Sequence, residues 1–203
     1  IASRTDGFSI GKDAWYPVAG GEAGYIVSDP NNSKITFGGE YDGQITKHNA
    51  ETNQDQDVSF YPERWMGNSS ANRKYRFQWT YPIVFSPHDS KRLFITSQYV
   101  HTSTDHGMSW ETISPDLTRN DPKTTGPTGG PITLDQTGAE TYATIFTFAE
   151  SPLEKGIYYA GSDDGYLHVS KDSGKTWESI TLPTSQLPDF ALMSIVHCSD
   201  HIK

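Results

Sequence analysis

Ser103-Thr104-Asp105-His106-Gly107-Met108-Ser109-Trp110 and Ser170-Lys171-Asp172-Ser173-Gly174-Lys175-Thr176-Trp177 are one motif met twice, 67 residues apart. Both read Ser-x-Asp-x-Gly-x-Ser/Thr-Trp, and each position has a physical task. A carboxylate in a tight turn accepts hydrogen bonds from nearby backbone N–H groups. The glycine permits positive φ where a hairpin reverses. The hydroxyls bond within the turn. The Trp opens the outgoing strand and is expected to bury its ring against the next sheet. The structural residues of the pair are thus Ser103, Asp105, Gly107 and Trp110, and Ser170, Asp172, Gly174 and Trp177. An earlier stretch, Thr46–Asn53, is a degenerate version without the Trp.

The motif sits inside a longer repeat. An apolar strand, a Ser/Asp-Pro turn, a second strand and a polar hairpin follow in that order three times. The first strands are Gly24–Val27, Tyr81–Phe85 and Thr144–Phe148, and the turn prolines are Pro30, Pro87 and Pro152. A fourth unit opens at Ala191–Val196, with Cys198-Ser199 where Ser86-Pro87 stood. Proline spacings of 57 and 65 residues exceed the roughly 40–50 that a four-stranded blade needs. The excess falls in two stretches, 61–78 and 114–140, rich in polar and glycine signals. Long connections on a rigid scaffold are where function is grafted; the plain alternative is a surface excursion.

Composition agrees. The chain has 25 aromatic residues (9 Phe, 5 Trp, 11 Tyr), 18 Gly and 12 Pro among 203, which favours strands and tight turns. The net charge of −9 argues against nucleic acid and anionic membranes as partners, and is also an ordinary solubility charge. One cysteine, Cys198, excludes an internal disulfide. No run of 18 apolar residues is present, so no membrane insertion is expected. The chain opens without Met or a signal peptide and stops inside a new unit, so a fragment is expected.

Several strings, taken with the two motifs, resemble one group. They are Trp15–Val18 with Gly20-Gly21-Glu22, Tyr75–Thr80, Ile113–Pro122, Gly129–Thr133 and Ala160–Gly165. The chain resembles the Asp-box (BNR-like), sortilin-type β-propeller proteins of bacteria, which often carry a glycosyl hydrolase label. The resemblance covers nearly the whole chain. It implies an all-β fold: a β-propeller fragment of about three four-stranded blades with Asp-box hairpins. The blades would occupy roughly residues 15–65, 75–120 and 140–183, with a further blade starting over 190–203. It implies export to the periplasm or beyond, and a carbohydrate or peptide ligand. It makes the Asp boxes structural, away from the central site. Three blades leave open propeller edges, through which the chain would pair with a second copy or sit in a larger assembly.

The chemistry candidates lie elsewhere. Glycoside hydrolysis needs two carboxylates across the scissile bond. Asp163 and Asp164, before Gly165, end a strand and could face the propeller mouth; equally, Ser162–Gly165 is a plain β-turn. Glu22 stands near a first-strand start, as a channel carboxylate or as a polar loop residue. Arg76, Gln78 and Trp79 are ligand-binding candidates: the indole offers a face to sugar C–H groups and Arg a fork to an acid, or the stretch is a packed strand entry. The arginines Arg4, Arg64, Arg73, Arg76, Arg92 and Arg119 form no sialidase arrangement. Asp116–Asp121 lacks the spacing of a calcium loop, and the seven histidines lack zinc spacing, so neither metal nor cofactor is expected. The reading is a non-catalytic binding or scaffold module of an exported propeller protein, the alternative being part of a glycoside hydrolase whose acid/base carboxylates line the channel.

Overall fold

A computed structural model describes residues 2–3, 11–22, 24–63, 66–135 and 139–201. Arg4 and Arg64 lie outside them. Sixteen strands run in chain order: β1 Ala2–Ser3, β2 Trp15–Tyr16, β3 Ile26–Asp29, β4 Asn32–Glu40, β5 Gln44–Asn49, β6 Gln54–Asp57, β7 Ile83–Phe85, β8 Leu93–Thr96, β9 Val100–Ser103, β10 Glu111–Thr112, β11 Thr128–Gly129, β12 Leu134–Asp135, β13 Ile145–Glu150, β14 Tyr158–Ser162, β15 Leu167–Ser170 and β16 Glu178–Ser179. Among the described residues only short 3-10 turns, such as Tyr41–Gly43 and Ser70–Asn72, interrupt them.

Twelve of these strands make three four-stranded antiparallel sheets, each in simple meander order: β3-β4-β5-β6, β7-β8-β9-β10 and β13-β14-β15-β16. These are propeller blades, and the fold is all-β. Two small pairs, β1-β2 and β11-β12, stand apart. The sheets occupy narrower spans than the repeat units, because the long connections carry no strands of the blades.

Each inter-sheet layer is an apolar cluster. Phe37, Ile45 and Val58 of the first sheet and its exit pack on Ile83, Leu93 and Ile95 of the second, with Phe77 and Tyr81 from the connection. Phe94 and Val100 of the second pack on Ile145, Phe148, Tyr158 and Ala160 of the third. Alternation explains it: neighbours along β8 face opposite ways, so Phe94 faces one sheet while Leu93 and Ile95 face the other.

The two boxes have the same bonding. Ser103 Oγ donates to Asp105 at 2.8 Å and accepts the Gly107 N–H at 2.9 Å. Ser170 Oγ does the same with Asp172 and Gly174, at 3.0 and 2.9 Å. Asp105 also takes the Ser109 N–H and hydroxyl, as Asp172 takes those of Thr176. Gly107 and Gly174 sit at φ of 81° and 88°, where a Cβ would be strained. The Trp direction differs from expectation. Trp110 donates to the Val58 carbonyl and Trp177 to the Ile113 carbonyl, so each ring packs on the preceding sheet. The reason is register: the hairpin of a blade projects back over its predecessor's outer strand. In the first sheet, pairing places His48 where Ser103 and Ser170 stand, and Asp55 at the Trp position. His48 Nδ1 and Asp55 Oδ1, 2.8 Å apart, replace the box.

Candidate functional site

Antiparallel meanders sort their connections by end. The turns β4–β5, β8–β9 and β14–β15 share one end with the long inter-sheet connections, residues 58–82 and 113–144. The boxes lie at the other end. The connections are knitted together mainly by three arginines.

Arg73 Nη1 meets Asp42 Oδ1 at 3.1 Å, both side chains buried, which ties the first connection to the β4–β5 turn. Burial lowers the Arg73 pKa, and Asp42 works against that shift. Arg76 commits its Nε and Nη2. Its Nε donates to the Ala143 carbonyl at 2.8 Å, and its Nη2 to Asp116 Oδ2 at 2.8 Å and Thr118 Oγ1 at 3.1 Å. Its backbone N–H goes to Gln98, whose amide donates to the Lys74 carbonyl. Arg119 lies between the rings of Tyr166 and Phe190, 4.6 Å from each centroid, and its Nη2 reaches Asp189 at 3.1 Å.

Asp163 and Asp164 are both buried. Asp163 takes the Thr144 N–H at 2.9 Å and the Thr144 hydroxyl at 2.7 Å. Burial raises its carboxyl to about 6 in spite of these bonds. Asp164 takes the Ser162 hydroxyl at 2.6 Å and the N–H groups of Arg119 and Asn120 at 2.8 and 3.0 Å. Ser162 Oγ in turn accepts the Tyr166 N–H at 2.9 Å. This is the Ser–Asp bonding of the boxes, built at the opposite end of the blade. Glu22 is exposed before β3 and touches neither aspartate. The structure therefore does not join Glu22 to Asp163 or Asp164.

Gln78 and Trp79 are differently placed. Gln78 Oε1 accepts the Thr80 N–H at 2.6 Å, while its side-chain NH₂ has no partner among the described residues. Trp79 is half-buried, edge-on to Tyr41 at 5.9 Å, and its Nε1–H is buried with no hydrogen-bond partner among the described residues. An unused amide beside aromatic surface thus sits where the first connection enters β7. Sequence reasoning missed a second aromatic group: Tyr61, Tyr75 and Tyr99, with Lys74 Nζ 4.7 Å over the Tyr61 ring. Its members are scattered in sequence and meet only when the first connection folds against the β8–β9 turn. Arg119 and Thr144 were missed for the same reason.

No known family's sequence model matches the chain, and no curated protein matches it in sequence. Among solved structures it is similar to the extracellular domain of the putative one component system BT4673 from B. thetaiotaomicron, at 10% identity and TM-score 0.50, over 87% of this chain and 19% of that one. It is similar to the GH74 xyloglucanase from Xanthomonas campestris at 17% identity and TM-score 0.45, over 79% of this chain and 20% of the other. The computationally designed Ika4 protein matches 89% of this chain with 83% of its own, at 14% identity and TM-score 0.45. The chain spans about a fifth of the length of the first two. These likenesses concern the fold. Among the described residues no helix is long and apolar enough to cross a membrane.

Proposed function

We propose that the chain is a non-catalytic binding or scaffold module of an exported, sortilin-like Asp-box propeller protein, with a glycan or peptide ligand at the connection end. The supporting observation is how the polar groups are spent. Arg76, Asp163 and Asp164 are committed to holding connections in place, whereas Gln78 keeps its amide donors free beside the half-buried rings of Trp79 and Tyr41. Amide donors beside an aromatic face suit sugar hydroxyls and C–H groups or a peptide carbonyl. Arg76 is then a positioning residue. A glycan and peptide array tests this: Trp79→Ala and Gln78→Ala lower binding at least tenfold with unchanged folding. Array binding that survives both substitutions excludes this site.

The glycoside hydrolase reading keeps one observation in its favour. Burial holds the Asp163 carboxyl protonated up to about pH 6, a property of a general acid. Its partner would be a carboxylate other than Glu22, which the structure keeps apart from Asp163. Release of reducing ends from a glycan, lost in Asp163→Asn while binding persists, would establish it.

A further inference from the structure

Tyr75 is the hub of the tyrosine group at the connection end. Its ring centroid lies 4.7 Å from Phe60, 5.2 Å from Tyr61 and 6.0 Å from Tyr99, each pair edge to face. His101, fully buried in the third strand of the second sheet, stacks on Phe60 at 3.9 Å and stands edge-on to Tyr75 at 5.6 Å. Backbone bonds fix the rest. The Gln98 side chain accepts the Arg76 N–H at 2.8 Å and donates to the Lys74 carbonyl at 2.9 Å, which clamps residues 74–76 to the β8–β9 turn. That turn is closed by the Ser97 N–H on the Tyr99 carbonyl and the Tyr99 N–H on Ser97 Oγ. The rings are thus held in place before any ligand arrives, which lowers the ordering cost of binding.

The polar groups left over are one-sided. Tyr61, Tyr75 and Tyr99 are half-buried, and none of their hydroxyls has a hydrogen-bond partner among the described residues. Lys74 is exposed, with Nζ 4.7 Å over the Tyr61 ring and 5.2 Å over the Tyr75 ring. No carboxylate pairs with it among the described residues, although the chain has 25 acidic residues against 16 Lys and Arg. The adjoining carbonyls are already used: that of Tyr61 accepts the Glu63 N–H at 2.8 Å, and that of Lys74 accepts the Gln98 amide. Three phenol hydroxyls and an ammonium therefore meet where donors outnumber acceptors. Trp79, on the same connection, packs instead on Tyr41 of the β4–β5 turn, so this group is separate from the Gln78–Trp79 site.

We propose that Tyr61, Tyr75, Tyr99 and Lys74 form a second subsite, for a hexuronic acid residue of an acidic glycan. The Lys74 ammonium, already drawn over the rings, pairs with the sugar carboxylate. The phenols donate to its carboxylate and hydroxyl oxygens, and the rings take its C–H groups. A uronate supplies an acceptor for every donor here. A peptide fits worse, because each of its N–H groups needs an acceptor and the carbonyls are used. This subsite depends on neither the Gln78–Trp79 reading nor any chemistry at Asp163.

Isothermal titration of the full chain with tetrasaccharides of galacturonate, glucuronate and mannuronate is the test. At least one should bind. Its methyl ester, which keeps the sugar and loses the charge, should bind at least tenfold more weakly. Tetraglutamate, which keeps the charge and loses the sugar, should also bind at least tenfold more weakly. Lys74→Gln should weaken uronate binding at least fivefold with an unchanged circular dichroism spectrum, because this side chain is exposed. Tyr61→Phe and Tyr99→Phe, each losing only a hydroxyl, should weaken it at least twofold. Trp79→Ala should leave it within twofold. The proposal is overturned by three uronates that do not bind, by an ester or tetraglutamate that binds as tightly, or by Lys74→Gln binding like the parent. A loss in Trp79→Ala as large as in Lys74→Gln also overturns it, since the ligand then belongs to the first site. Neutral-glycan or peptide binding that is lost in Trp79→Ala and kept in Lys74→Gln reports on the first site alone.

Discussion

Arg76 gives up water for four acceptor contacts, one of them a charge, and this sets what its loss costs. Removing one partner of a buried, hydrogen-bonded pair leaves the other uncompensated. Arg76→Met should lower stability in urea by about 3 kcal/mol, a little less than a fully buried pair, because the Asp116 side chain keeps 27% exposure. His101 makes the second prediction. It is buried against Phe60 and bonded to Ser97 and Thr112, and desolvation lowers its pKa to about 3. The unfolded chain takes up this proton below about pH 6.5, whereas the native state does not until about pH 3. Stability is therefore lost as pH falls through that window, by about 2 kcal/mol at pH 5 from this group. Asp163 has the opposite sign: its carboxyl is raised to about 6, so the native state holds the extra proton and gains as pH falls from about 6 to 4. Urea midpoints against pH check both, with the slope steepening in Asp163→Asn and flattening in His101→Gln.

At the scale of the element, the Ser-x-Asp-x-Gly-x-Ser/Thr-Trp motif is a hairpin that carries its own capping bonds and then reaches out through one Trp. Ser103→Ala and Ser170→Ala each remove a donor and a buried acceptor of a backbone N–H, and should each cost about 1–2 kcal/mol. Trp110→Phe and Trp177→Phe keep an aromatic ring and lose the indole N–H, which bonds Val58 in the first and is shared between Ile113 and Gly174 in the second; each should cost about 1 kcal/mol. Denaturant unfolding of the four variants measures this, and near-equal losses within each pair follow from the near-identical geometry. The boxes were legible because every partner within them lies within six residues. The direction of the Trp was not, since its acceptor is 52 or 64 residues away and depends on how sheets stack.

Across the whole molecule, the second sheet belongs to both apolar clusters, so the three blades share one folding unit. Phe94, fully buried against Phe148 and Tyr158, is the test. Phe94→Ala should cost about 3–5 kcal/mol. The far-ultraviolet circular dichroism and Trp fluorescence transitions should stay coincident, because loosening one interface loosens the sheet common to both. Separate transitions would show that the blades unfold independently.

The sequence by itself determined the blade count, the strand order and the hairpin chemistry. Those rest on alternation, proline turns and an eight-residue motif, all local in the chain. Tertiary structure alone decided which polar groups remain available. Arg76 and Trp79 are three residues apart and were alike as candidates, yet packing satisfied the fork of one and left the indole N–H of the other without a partner. Asp163 and Asp164 looked like a pair of acids, and the connections turned them into acceptors for Thr144, Arg119 and Asn120. A hydrogen bond is made by whatever folding brings within about 3 Å, and for these side chains that includes chain 40 or more residues away, as with Arg76 and Asp116 or Asp164 and Arg119.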